Sequence, residues 1–454
     1  MSTLGVWMNG RYVGAWEQVR GGRDRFSYDR SWISDPQGRA LSLSLPMTSD
    51  AAITSSAVGY YFDNLLPDSQ AIRDRIQARF DTRSTSTFDL LEAIGRDCVG
   101  AVQLLPDGQE PQGWDTLNVE RLKPREIEDI LRTVPTQSAP LSHGLEQNGD
   151  LRISLAGAQE KTALTRMGGH WCKPSASTPT THILKLPLGL VGNRRLDLSH
   201  SVDNEWLCAA LLRELGLPVA NTEIGQFGSQ RALIVERFDR RWQNVGSGDP
   251  QAANFKPRKD TWIARVPQED FCQVAALPHT RKYENDGGPS MRDILSVLAR
   301  AEHPSSDQQR FMLSQLVFWM LAATDGHAKN FSISHHRGGL FSLTPLYDVL
   351  SSWPVVGTRA DQLEFRELTL AMALRGKNTH YKIVGIQARH FQALADSYPA
   401  AEAWEAMIEL AGRVEAAIAA VEKRLPKGFA ESVWVTVSKG MLGQAKSFLW
   451  HAKA

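Results

Sequence analysis

Residues 323–332 read Ala323-Thr324-Asp325-Gly326-His327-Ala328-Lys329-Asn330-Phe331-Ser332. This stretch follows the apolar run 316–323 and leads into residues 331–334, whose composition suits a strand. Asp325 and Asn330 stand five residues apart. On a regular helix that spacing turns their side chains ~140° away from each other. On a loop, which Gly326 favours, they can converge on one metal–phosphate centre. Eighteen residues beyond Asn330, Leu346-Tyr347-Asp348-Val349 places a second carboxylate after an apolar strand at 340–343. Taken alone, the same residues also describe a helix C-cap and a strand-end turn.

Working outward, the chain divides into three stretches. Residues 1–140 read as mixed α/β. Asn9-Gly10 is flanked by short apolar runs and marks a two-residue hairpin. Leu41, Leu43 and Leu45 alternate with serines before Pro46, which predicts a half-buried strand. Asp68 can cap a helix carrying Ile72, Ile76 and Phe80. Further helices are expected over 88–94 and from Pro124, with a strand at 101–105. Residues 141–260 are strand-rich, with strands expected at 151–155, 161–167, 170–173, 182–186, 219–227 and 231–238 and one helix over 202–215. Residues 261–454 are mainly helical, as in 291–301, 309–323 and 401–425. The fold expected is α+β and two-lobed: a mixed α/β N-terminal part with antiparallel sheet, then a helical C-terminal lobe.

Composition narrows the function classes. Fifty-one Lys and Arg balance fifty Asp and Glu, a net charge of +1, which argues against a free-standing nucleic-acid binder. The longest wholly apolar run is far short of the ~20 residues of a membrane helix. The start MSTLGVWMNGRYVG lacks the basic and apolar regions of a signal peptide. Four scattered cysteines form no C-x-x-C pair, so buried thiols in a reducing cytoplasm are expected.

An Asp followed five residues later by Asn is the arrangement of a protein-kinase catalytic loop, where the Asp accepts the substrate hydroxyl proton and the Asn holds Mg²⁺. Asp348 suits the second metal-binding acid. Lys185, in the strand Ile183-Leu184-Lys185-Leu186, needs an anion such as ATP phosphates or a carboxylate if it is buried, or lies on an edge strand and snorkels. Glu205, twenty residues on, offers the helix glutamate of a kinase Lys–Glu pair. Ser154-Leu155-Ala156-Gly157-Ala158-Gln159-Glu160-Lys161 joins two strands with small residues that let backbone N–H groups approach phosphate. Glu236-Arg237-Phe238-Asp239 ends a strand where a hinge would meet a base, or is a solvated strand end. His335-His336 make a poor metal pair, and His327 reads first as a structural hydrogen-bonding residue. Arg375, Lys377, His380 and Lys382 form a small basic cluster.

In this order, ISLAGAQEKTAL, THILKLP, SVDNEWLC, VERFDRRW, ATDGHAKNFS and TPLYDV resemble the HipA family of serine/threonine kinase toxins. So do the N-terminal WMNG, LSLSLP, FDNLLPDS and IGRDCVGAV, and the likeness spans nearly the whole chain. The resemblance implies an ATP/Mg²⁺-dependent kinase paired with HipB, a small helix-turn-helix antitoxin through which operator DNA is bound. By motif, Asp325 is the implied base, Asn330 and Asp348 hold magnesium, and Lys185 meets the ATP phosphates under the 154–161 loop. Glu236, Arg237 and Phe238 lie near the adenine, and His327 and Lys329 complete the nucleotide set. Ser154 matches a serine that family members phosphorylate on themselves, and glutamyl-tRNA synthetase is the family's best-known target. The competing reading is a catalytically silent corepressor scaffold. A metal-dependent hydrolase lacks both a histidine cluster and a nucleophile motif.

Overall fold

The computed structural model describes residues 2–19, 21–47, 52–134, 154–157, 159–246, 248–398 and 402–452. The chain forms two compact units that interleave along the sequence. One takes Met1–Leu186, Gly225–Thr280 and Ser334–Leu340, the other Pro187–Ile224, Arg281–Ile333 and Phe341–Ala454.

The first unit carries a five-stranded antiparallel sheet in the order Ala52–Thr54, Arg25–Tyr28, Arg11–Gln18, Ser2–Met8, Val102–Pro106. Its central hairpin pairs Met8 with Arg11, and both turn residues have positive φ, 47° at Asn9 and 78° at Gly10. That is the Asn-Gly turn expected, because only such residues enter left-handed backbone cheaply. Trp16 stacks on Phe62 at 4.1 Å, and Phe26 and Phe88 close the same core. Residues 41–45, expected as a strand, make only an isolated bridge between Ser42 and Leu45. The reason is polar: buried Glu269 accepts from the Ser42 hydroxyl and, at 2.8 Å, from the Leu43 amide, which pulls Ser42 inward and breaks the alternation. Asp68 is not the cap of the next helix, which is Gln70–Phe80 with Ser69 at the N-cap.

A six-stranded sheet follows, in the order Thr222–Phe227, Gln230–Glu236, His182–Lys185, Lys161–Met167, His170–Pro174, Val119–Arg121. Lys161–Met167 turns through Gly168 (φ 57°) and Gly169 (φ 73°) into His170–Pro174. The helix Pro124–Thr133, with proline in its first turn, buries Ile127 and Leu131 against Leu164, Leu184 and Ile234. The expected strand at 151–155 and the division near residue 140 fall mainly or wholly outside the described residues.

The second unit is mainly helical. Pro304–Leu321 is buried along most of its length and ends where Ala322 adopts φ 48° and the Ala323 amide donates to the Phe318 carbonyl at 2.8 Å. The helix expected over 401–425 is two helices, Ala403–Gly412 and Val414–Glu422, and the 22-residue helix Glu431–Ala452 closes the unit. The basic cluster around Lys377 belongs to a hairpin, Thr369–Arg375 with Thr379–Lys382. No helix among the described residues is long and apolar enough to cross a membrane.

Candidate active site

In the second unit the 323–332 segment is a loop, as its Gly326 predicts, although not for reasons of backbone freedom. A Cβ at Gly326 would stand 2.4 Å from the ring of Phe318, so the loop lies directly against the buried helix that precedes it. Asp325 is the most open member, with 54% of its side chain accessible. Its backbone carbonyl accepts from the His327 amide at 2.8 Å and from the Asn330 side-chain amide at 2.6 Å. Asp325 and Asn330 are thus brought together, which a helix would not allow. One carboxylate oxygen, Oδ1, accepts from the Tyr283 hydroxyl and lies 3.6 Å from His327 Nε2. His327 is buried, with its ring edge-on to Tyr283 at 4.9 Å. Lys329 and Asn330 are buried beside it.

Asp348 follows from a second segment, pinned at both ends. Leu346 exchanges backbone bonds with 218–220, donating to the Pro218 carbonyl and accepting from the Ala220 amide, each at 2.8 Å. Ser351 and Asn204 exchange two bonds, at 2.7 and 2.9 Å, and the Ser351 hydroxyl donates to the Leu321 carbonyl at 2.6 Å. Between these anchors Asp348 adopts φ 59°, a left-handed conformation that Asp tolerates better than most residues. The Tyr347 hydroxyl donates to the Lys329 carbonyl at 2.9 Å, so the residue before Asp348 is tied to the residue before Asn330.

The first unit holds Lys185, the 154–161 segment and Glu236–Phe238. Lys185 ends His182–Lys185, a strand flanked on both sides, and pairs with Leu233 and Lys161. It is only 6% exposed, so the edge-strand alternative is excluded. Around 154–161, Gln159 donates to the Leu186 carbonyl at 2.6 Å, the Leu186 amide donates to the Glu160 carbonyl at 3.1 Å, and Glu160 pairs with Arg75. Gly157 takes φ 105°, and a Cβ there would come within 2.7 Å of Lys161 Nζ. Leu155 is buried and Ala156 half-buried, while Ala158 lies outside the described residues. Ser154 is fully buried, its hydroxyl donating to the Leu65 carbonyl at 2.8 Å and its amide to the Asp97 carbonyl.

Arg237 departs from the expectation of a base-contacting residue. Its guanidinium is buried against Asp239 at 2.8 Å, Thr180 at 2.9 Å and the Cys98 carbonyl at 2.8 Å, and its amide donates to the Thr181 carbonyl. It belongs to a buried ionic cluster in which Asp97 and Asp239 face Arg237, Arg240 and Arg265. Burial by itself raises Asp97, yet Arg240, Arg237 and Arg265 hold it well below the usual carboxylate range. Burial pulls Arg265 down to about 10 despite Asp97 beside it. Glu236 is half-buried and accepts from Gln251 at 2.7 Å, and Phe238 is half-buried. Glu205 is buried on the helix Ser201–Glu214 of the second unit.

The residue that sequence reading missed is Tyr283. It lies 42 positions before Asp325, and neither spacing nor periodicity joins them.

Residues 153–425 match the family described as HipA-like C-terminal domain, and residues 4–105 match the HipA N-terminal domain. A Sinorhizobium fredii protein named "Putative kinase Y4mE" is 32% identical over 390 residues, 84% of this chain and 86% of that protein. The serine/threonine-protein kinase toxin HipA of Shewanella oneidensis is 28% identical over 359 residues, 76% of this chain and 72% of that protein. In fold, the chain is similar to a solved Shewanella oneidensis MR-1 structure of HipA with HipB and operator DNA. The TM-score is 0.76 at 24% identity, covering 99% of this chain and 98% of that one. The α+β architecture is therefore kinase-like, and the chain belongs to the HipA family.

Proposed function

We propose that this chain is an ATP- and Mg²⁺-dependent serine/threonine protein kinase, the toxin of a toxin–antitoxin pair. The observation that carries this reading is the loop around Asp325, an open carboxylate on a rigidly held turn with Asn330 folded back onto it. In the reaction, a substrate hydroxyl oxygen bonds to the γ-phosphorus and the bond to the ADP oxygen breaks. The hydroxyl proton passes to Asp325.

The residues present fit a hard cation. Asn330 spends its amide nitrogen on the Asp325 carbonyl, which leaves its side-chain oxygen as a metal donor. Asp348 supplies the carboxylate. Among the described residues no cluster of three or more His, Cys, Asp or Glu forms a cage. Mg²⁺ needs none, since it commonly keeps several waters and binds through one or two protein oxygens plus phosphate. When bound, the cation neutralises charge on the phosphates.

Lys185 meets the phosphates in this reading, with the backbone of 154–161 and the Glu236–Phe238 strand end serving the nucleotide, and His327 and Lys329 shaping the loop. For Arg237 the contribution is architectural. The partner proposed is a HipB-like helix-turn-helix antitoxin, which carries operator DNA. A cytoplasmic translation factor, with glutamyl-tRNA synthetase as family precedent, is the proposed target whose modification arrests growth. Self-phosphorylation at Ser154 requires that serine to leave its buried bond to Leu65 first. Incubation of wild-type chain and Asp325→Asn with γ-labelled ATP tests the reading. Transfer to protein by the wild type alone supports it, whereas binding without transfer by both identifies a scaffold.

A further inference from the structure

Residues 281–288 form a short braced turn. The Asp286 and Gly288 amides both donate to the Tyr283 carbonyl, at 3.0 and 2.9 Å. A Cβ on Gly288 would stand 2.4 Å from the Arg281 carbonyl oxygen and 2.6 Å from that of Tyr283, so the turn closes only around a bare backbone. Two tethers flank the tyrosine. Before it, the Lys282 carbonyl accepts from the Ala328 amide at 3.1 Å. After it, Glu284 accepts from the Ala373 amide at 2.7 Å and pairs with Arg375. The ring packs edge-on against buried His327, and Lys282 Nζ lies 5.8 Å from its centre. Backbone and ring are held independently of the hydroxyl.

That hydroxyl donates to Oδ1 of Asp325, the same oxygen that His327 approaches, while no hydrogen bond or ion pair to Oδ2 is made among the described residues. An exposed aspartate without such a contact turns freely about its side-chain torsions, and a base that samples several orientations spends little time aligned with its substrate. We propose, building on the reading of Asp325 as the base, that Tyr283 is a positioning residue: it fixes Oδ1 so that Oδ2 is presented to the incoming hydroxyl.

The test uses the full chain with γ-labelled ATP, Mg²⁺ and a mixed serine/threonine peptide library as acceptor. Tyr283→Phe keeps the ring against His327 and removes only the donor. Expected are a kcat lower by about ten- to a hundredfold and an ATP KM within about twofold of wild type. Replacing Tyr283 by 3-fluorotyrosine, which retains the donor, should restore the rate. Adding Tyr283→Phe to Asp325→Asn should cost nothing further, because the group it orients is gone. If Asp325→Asn itself transfers phosphate at the wild-type rate, the base assignment falls and this inference with it. If Asp325→Asn is inactive while Tyr283→Phe keeps wild-type kcat, the positioning role alone is overturned. A raised kcat in Tyr283→Phe overturns it too, since the hydroxyl would then be blocking the carboxylate.

Discussion

Two sets of ionised side chains are treated in opposite ways. In the first unit, Asp97 and Asp239 are sealed among Arg237, Arg240 and Arg265, and further donors of Arg237 and Arg240 are taken up by the Thr180 hydroxyl and the carbonyls of Cys98 and Gly100. In the second unit, Asp325 stands open to solvent with one oxygen held and the other without a hydrogen bond or ion pair among the described residues. Buried charges persist only when paired and hydrogen-bonded, because the low dielectric that strengthens each pair also penalises any member left over. A charge kept for proton transfer needs the reverse, a vacant acceptor. The contrast separates charge used as architecture from charge available for chemistry.

The sharpest way to break that contrast is Asp325→Asn. Phosphate transfer should fall by ~10²–10⁴ while nucleotide affinity and melting temperature stay near wild type. An unfolded or unstable variant would make Asp325 architectural as well. Asp97→Ala should do the opposite. It takes from Arg265 the carboxylate it pairs with, leaves Arg237 and Arg240 to Asp239 alone, and should cost ~3–5 kcal/mol in urea unfolding, with activity retained per folded molecule. Loss of activity without loss of stability would erase the distinction from the other side.

Acidity offers a finer probe of the first unit. Burial, helped by Arg166, pushes His182 down to about 3, below the ~6.5 of an unfolded chain. Between those values the unfolded chain binds the extra proton, so this contribution is complete above ~6.5 and declines as pH falls toward the folded value. His182→Gln should therefore flatten the pH dependence of unfolding between pH ~4 and ~6.5, measured by chemical denaturation. An unchanged slope would place the acid sensitivity elsewhere. The smallest effect expected is at Ser154→Ala, about 1 kcal/mol for the lost bond to the Leu65 carbonyl. A much larger cost would extend the sealed character of the ionic cluster to the 154–161 segment.

What the sequence by itself determined was local or motif-borne. Asn9-Gly10 specified its hairpin because few residues adopt consecutive positive φ angles, and Pro124 marked a helix start because its missing N–H is not needed there. The strand Lys161–Met167 and the helix Ser201–Glu214 followed from periodicity and end signals. The joint motifs carried the family. Only tertiary structure decided where polar partners from distant segments intrude. Glu269 draws Ser42 inward and undoes a strand that alternation predicts. Asp97, some 140 residues before Arg237, takes that arginine into the core. Leu65 buries the hydroxyl of Ser154, and Tyr283 reaches Asp325 across 42 positions. Hydrophobic periodicity records which face of an element is covered. A hydrogen bond between remote side chains leaves no periodic trace, because its geometry exists only after the elements that carry it have packed.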